Sequence, residues 1–183
     1  MLYVLRHGKT DWNEKHKLQG RTDIPLNEEG RQMARKAGRE YKDVHFDVCY
    51  SSPLIRAKET AQLLLEGRDI PILEDDRLME MSFGKHEGFE NSFDYPNHPI
   101  NVFFQEPEKY VPKEDEGESI EALFERTGSF LKEVVEPLLQ DGKDVLIVGH
   151  GAMNSSIICQ VLNKPVKEFW DAGIENCKLK KLI

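Results

Sequence analysis

Two histidines occupy the same local frame in distant parts of the chain. Arg6-His7-Gly8 directly follows the apolar run 2–5, and Gly149-His150-Gly151 directly follows the aliphatic run 145–148. A histidine at a strand end can serve as nucleophile or base, and the arginine beside it carries a permanent charge suited to an anion. Gly8 permits close approach of the backbone. Two further segments offer related groups. Ser51-Ser52-Pro53, with Arg56 just after it, follows the stretch 46–50, and Glu80 stands near the end of Arg77-Leu78-Met79-Glu80-Met81. Open α/β sheets bind ligands beyond the carboxyl ends of their strands. Four such segments would therefore bring anion-handling and proton-handling groups to one edge of a sheet.

His7-Gly8-Lys9-Thr10 is compatible with the end of a phosphate-binding P-loop, but GxxxxGK[ST] requires glycine at position 3, where the chain has Tyr3. A different resemblance covers most of the chain. RHGKTDWNEKHKLQGRTDIPLNEEGRQMA (6–34) resembles the opening of the histidine phosphatase superfamily, phosphoglycerate-mutase-like branch. SSPLIRAKETA (51–61), RLMEMSFGKHEG (77–88), GES (117–119) and VGHGA (148–152) are similar to its later blocks, in order. The match is weakest over 89–116 and past residue 162.

That resemblance implies roles residue by residue. His7 matches the nucleophile that is phosphorylated during turnover. Arg6, Arg56 and His150 match the phosphate pocket, Glu80 matches the proton donor, and Asn13, Gln19 and Gly20 match further substrate contacts. It also implies a three-layer α/β/α sandwich around a mostly parallel sheet, with neither metal nor cofactor. Phosphoryl transfer consists mainly of positioning and charge stabilisation, which two arginines and a second histidine can supply. Glu80 would have to be protonated when the alkoxide leaves and ionised when water attacks.

The elements that must position these groups are legible as patterns. Residues 2–5, 46–50, 70–73 and 145–148 read as strands, the last buried on both faces. Asn27 reads as the N-cap of a helix running to about Tyr41, with Glu28 and Glu29 in its first turn. Pro53 is expected to open a helix to about Leu65. Ser119 is expected to cap a long helix toward Leu139, disturbed by Pro137, and another helix should span 152–162. Residues 178–183 read as an edge strand. Strands alternating with helices argue for an α/β sheet covered on both faces.

With 183 residues the chain fits one domain, 1–183. A formal net charge of −8 argues against nucleic-acid or anionic-membrane partners. Three cysteines without a CxxC pair fit a reducing compartment, and no apolar stretch is long enough to span a membrane, so a cytoplasmic protein is expected. Residues 83–118 differ in composition, with seven Phe or Tyr, four Pro, nine acidic residues and three Lys. They read either as an irregular lid insert or as a subdomain that packs on the body. As a lid, its aromatics Phe83 and Phe89 would form a wall for a neutral or partly apolar leaving group. His16, His45, His86 and His98 show no metal-ligand spacing; His86 is the strongest exception because it lies near Glu80. The acidic run 114–118 reads as a solvated loop, and Cys159 as core.

The function that follows is a metal-independent phosphomonoesterase of histidine acid phosphatase type, acting on a small phosphorylated metabolite through phosphohistidine. A cofactor-dependent phosphoglycerate mutase is the alternative. It would need added cations on the lid side, and no arginine lies between Arg77 and Arg126. A non-catalytic binding module is disfavoured by intact His7 and Glu80. The oligomeric state stays open.

Overall fold

An unbroken aliphatic run needs apolar partners on both sides, and residues 145–148 have them: all four are 0% exposed. In the computed structural model, which describes all 183 residues, they form a central strand. The elements in chain order are β1 (Leu2–Arg6), α1 (Asp11–Glu14), α2 (Glu28–Glu40), β2 (Val48–Ser51), α3 (Ile55–Leu64) and β3 (Ile72–Glu74). There follow α4 (Asn101–Gln105), α5 (Ile120–Phe130), α6 (Glu136–Gln140), β4 (Val145–Gly149), α7 (Gly151–Val161) and β5 (Leu179–Lys181). The sheet order is β3-β2-β4-β1-β5. Strands β1 to β4 run parallel, and β5 joins the β1 edge antiparallel.

Alternation along each strand divides the core between the two faces. Leu2, Val4, Val145 and Ile147 pack with Leu123 and Phe130 of α5 and Met153 and Ile157 of α7. Leu5, Leu146 and Val148 meet a surface of alanines, Ala34 and Ala37 of α2 with Ala57 and Ala61 of α3. The result is the α/β sandwich with a mostly parallel sheet that the sequence implies.

The parallel register delivers the functional strand ends to one place. Arg6 lies opposite Gly149 and Ser51 opposite Val148. His7, His150 and Ser52 therefore leave the sheet side by side.

Several boundaries differ from the sequence expectation. Phe46 is buried outside β2, beneath the Tyr3 ring at 5.3 Å and the Arg68 guanidinium at 5.1 Å. Pro53 does not open α3. Leu54 remains extended, and the helix starts at Ile55, whose N–H donates to the Asp23 carboxylate at 2.8 Å. A cap supplied from a distant loop leaves no local signature. Asn27 and Ser119 do cap α2 and α5. Beyond α5 the helix widens into a π turn over Leu131–Val135 before α6. Pro137 has no N–H for the Glu133 carbonyl and its ring crowds that carbonyl, which accounts for the widening.

One glycine in α2 fixes the approach of the His7 loop. A Cβ on Gly30 would lie 2.1 Å from the Lys9 carbonyl oxygen, which belongs to backbone and cannot swing away. Alanine would gain about 1 kcal/mol of helix propensity. The clash outweighs that gain, so Gly30→Ala is expected to lose on the order of 1–3 kcal/mol. Urea unfolding checks the sign; a stabilised variant would contradict the close approach.

Candidate active site

His7 is 2% exposed. Its Nδ1 lies 2.6 Å from the Gly8 carbonyl. A carbonyl can only accept, so Nδ1 carries the proton and Nε2 keeps its lone pair. The Gly8 N–H donates to Thr60 Oγ1 at 3.0 Å, and the Thr60 hydroxyl donates to the Arg56 carbonyl at 2.6 Å, which binds the loop to α3. The His150 ring lies 5.2 Å from that of His7, and its Nε2 is 2.8 Å from Ser52 Oγ.

Two guanidinium groups accompany the histidines. Arg56, 1% exposed, donates from Nη2 to the Gly20 carbonyl at 2.6 Å and from Nη1 to the Thr22 carbonyl at 2.9 Å. Arg6 donates to the Ile174 carbonyl at 3.2 Å. Neither Nε has a partner although both are buried. Burial pulls Arg56 down to about 10, opposed by Glu80, Asp23 and Glu87, so it remains cationic near neutrality. Burial also lowers Arg6, opposed by Glu80.

Glu80 reaches the same cavity from the chain after β3. Its Oε1 accepts N–H bonds from Met81 at 2.8 Å and Met153 at 3.0 Å, and Oε2 accepts one from Ala152 at 3.1 Å. The carboxylate is thus anchored at the amino end of α7, where donors without helical partners are available. Oε2, with the single bond, retains an acceptor position. A Cβ on Gly151 would lie 3.8 Å from this oxygen and 3.7 Å from Arg6 Cζ, so the two groups flank that glycine.

Asn13 completes a capping box with Thr10, Oδ1 accepting the Thr10 N–H at 3.0 Å. Gln19 Oε1 accepts from the Thr10 hydroxyl at 2.8 Å. Their amide oxygens face the loop, leaving the NH₂ groups as the unused donors. All eight residues singled out in the sequence gather here, and all but His150 line one cavity of about 270 Å³. His150 is fully buried beneath His7 and Arg56.

Burial is the first cause that holds both histidines well below the usual imidazole range. The cations of Arg56 and Arg6 act in the same direction on each, and only the Gly8 carbonyl opposes this at His7. The unfolded chain will therefore take up protons below about pH 6.5 that these folded rings refuse. Stability should fall as the pH drops from there, by up to about 1.4 kcal/mol per pH unit for each ring, until the depressed folded values are reached. Urea midpoints across that window check the slope. A flat profile would contradict neutral, buried histidines.

The insert both packs on the body and walls the site. Ile100 and Phe103 are 0% exposed in the core, whereas Phe83 and Phe104 line the cavity. Phe89 does not reach it; its ring packs on His98 at 4.1 Å and Tyr95 at 5.4 Å. A second cavity of about 750 Å³ adjoins the first through shared Arg6, Asn13, Lys17, Leu18 and Phe104. Polar side chains, among them Lys9, Glu14, Asn91 and Asp94, line it together with Leu18, Phe93 and Phe104. Apolar groups line both chambers, Phe83 and Trp170 the inner one, Phe93 the outer one and Phe104 both.

His86 is not part of the site. It is buried 3.5 Å from Glu116, with its ring 4.9 Å from that of His98. Glu116 is 4% exposed and accepts the Lys113 N–H, while Glu118 pairs with Arg126 at 2.7 Å. The acidic run is therefore not simply solvated; distant cations and N–H groups give it partners. His45 is exposed and lies near Asp47 and Asp144, whose carboxylates meet Lys143 and the Met1 amino group.

Sequence reasoning missed Lys17, Phe104 and Trp170 among the lining residues. It also missed Asn176, whose amide donates to the His7 carbonyl at 2.6 Å. Phe104 comes from α4 and the others from irregular segments, with no local motif to mark them.

The uncharacterized phosphatase PhoE of Bacillus subtilis is 35% identical over 158 residues, 86% of this chain and 75% of that protein. A 2,3-bisphosphoglycerate-dependent phosphoglycerate mutase of Gloeobacter violaceus is 31% identical over 183 residues, covering 97% and 82%. The structure of Bacillus stearothermophilus YhfR superposes with a TM-score of 0.86 at 32% identity, covering 97% of this chain and 88% of that one. No helix is long and apolar enough to cross a membrane. The family profile described as histidine phosphatase superfamily (branch 1) matches residues 2–183. Relatives thus include both phosphatases and mutases, and the chain belongs to the histidine phosphatase superfamily.

Proposed function

We propose that the protein is a phosphomonoesterase that hydrolyses a small phosphorylated metabolite through phosphorylated His7. The observation that carries this reading is the His7 tautomer. With Nδ1 donating to Gly8, a neutral Nε2 is the available nucleophile in a cavity lined by two arginines. Nε2 attacks phosphorus, the N–P bond forms and the P–O bond to the alcohol breaks. Glu80, carrying its proton on Oε2, gives it to the departing oxygen. Water then enters, returns a proton to Glu80 and attacks phosphorus, and the N–P bond breaks to release inorganic phosphate. Arg6 and Arg56 stay charged throughout and offset the charge on the equatorial oxygens. Asn13 and Gln19 direct amide donors to the phosphate. His150 adds a further positioning group.

Hydrolysis is favoured over mutase chemistry by the cations of the insert. Lys85 is engaged with Asp115 and Glu116 and Lys109 with Glu106, Lys113 is exposed, and none of the three lines either chamber. A mutase must retain a bisphosphorylated intermediate between turnovers, which calls for free positive charge opposite the first phosphate. Lys9 borders the outer chamber and Lys17 both chambers, but Glu29 lies 2.6 Å from Lys9 and Glu90 lies 3.8 Å from Lys17.

Because the charge stabilisation is assigned to side chains, activity on phosphate esters is expected to persist in EDTA. A panel of esters assayed with and without chelator checks this, together with interconversion of 3- and 2-phosphoglycerate. Activity lost to EDTA and restored by added metal would reject the assignment. Mutase turnover exceeding phosphate release would select the other branch.

A further inference from the structure

Glu87 does not line the reacting cavity, yet its carboxylate organises the turn that holds Arg56. Oε1 accepts the N–H of Arg21 at 2.9 Å and of Phe83 at 3.2 Å. Oε2 accepts the N–H of Thr22 at 3.1 Å and the Thr22 hydroxyl at 2.5 Å. The carbonyls of that same turn, from Gly20 and Thr22, are the two acceptors of the Arg56 guanidinium. No carboxylate lies within ion-pair distance of Arg56, so its direct protein partners are those two carbonyls. The carboxylate thus grips the turn by its N–H groups, and the turn grips the arginine by its oxygens.

Gly20 shows how tightly the parts fit. Its φ is +55°, and a Cβ there would lie 2.1 Å from Glu87 Oε1 and 2.7 Å from its carboxyl carbon. The glycine leaves the space that the carboxylate fills. Phe83, bonded through its N–H to the same carboxylate, also forms part of the cavity wall. One side chain therefore joins the base of the insert to the phosphate-binding turn. Its negative charge, with those of Glu80 and Asp23, also supports the buried Arg56 cation against desolvation.

We propose that Glu87 is a positioning residue that sets the Arg56 guanidinium for phosphate, coupling the insert to the anion pocket. This rests on the reading of Arg56 as a phosphate ligand. Glu87→Gln keeps the shape but removes the charge. It also turns an NH₂ toward one of the donor groups now facing the carboxylate, whether at Arg21 and Phe83 or at Thr22, so bonds on that side are lost. The effect should be felt at Arg56 rather than spread through the fold.

The test is a double-mutant cycle read by equilibrium binding of inorganic orthovanadate, with the rate of His7 phosphorylation as a second readout. Glu87→Gln alone is expected to weaken vanadate binding about tenfold and to slow phosphorylation per folded molecule similarly. In an Arg56→Ala background the same substitution should change binding by less than about twofold, because the group it positions is gone. A tenfold loss that persists in that background would overturn the proposal. So would wild-type vanadate affinity in Glu87→Gln accompanied only by a lower melting temperature. If Arg56→Ala alone binds vanadate like the wild type, the phosphate-pocket reading fails and the proposal falls with it. A loss in Arg56→Ala together with additive effects defeats the Glu87 proposal alone.

Discussion

Replacing His7 with alanine is expected to lower kcat on phosphate esters by on the order of 10⁴-fold or more, because the covalent route disappears. The cavity would still hold phosphate through Arg6 and Arg56, but water would have to attack without a nucleophilic relay. The fold should survive, since His7 packs at the rim of the sheet, its backbone is fixed independently by Gly149 and Asn176, and Thr60 holds the next residue, Gly8. Loss of activity with retained vanadate binding would therefore separate chemistry from binding. His7→Asn is the gentler companion variant, keeping a polar group near the Gly8 carbonyl. Near-normal turnover by either variant, measured on protein free of the wild type, would assign the nucleophile elsewhere.

The second large effect concerns Glu80. Glu80→Gln preserves size and can still accept N–H bonds, but it cannot give or take a proton at the reacting oxygen. Alkyl phosphates, whose leaving alkoxides need protonation, should lose about 10²- to 10⁴-fold in kcat/KM. Nitrophenyl phosphate, whose leaving group departs as a stable anion, should lose about tenfold or less in its phosphorylation step. The dephosphorylation step uses the same residue as a base, so phosphohistidine should accumulate in this variant when nitrophenyl phosphate is the substrate. Equal losses on both substrate types, without accumulation, would reduce Glu80 to an anchor for the amino end of α7.

Asn13, Gln19 and Gly20 could be read only through the family resemblance, whereas the other legible parts of the site share one physical origin. Arg6-His7, Ser52, Arg56 and His150 lie at or just after strand ends, and a parallel register carries strand ends to one edge whatever the loops do. Asn27 and Ser119 were legible as caps because a capping bond is local. The Ile55 cap was not, because Asp23 reaches it from another loop. Lys17, Trp170 and Asn176 enter the site only when tertiary packing brings their loops inward. The burial of Glu116 and the pairing of Glu118 are hidden for the same reason: composition displays their charge, but not His86 or Arg126 facing them. Phe83 and Phe89 look equivalent in sequence, yet one walls the cavity and the other packs on His98. The aromatics of the insert divide in the same way, Phe103 turning into the core while Phe93 and Phe104 border the outer chamber beside Asn91 and Asp94.

Phosphate is expected to pass through His7. Rapid acid-free quenching during turnover of a labelled ester, followed by peptide mapping, tests it directly. A base-stable, acid-labile phosphate is expected on the peptide bearing His7, formed no more slowly than the steady-state rate and, with labelled nitrophenyl phosphate, increased by Glu80→Gln. Turnover with no covalent phosphate at any quench time, or with the label on another residue, would contradict it.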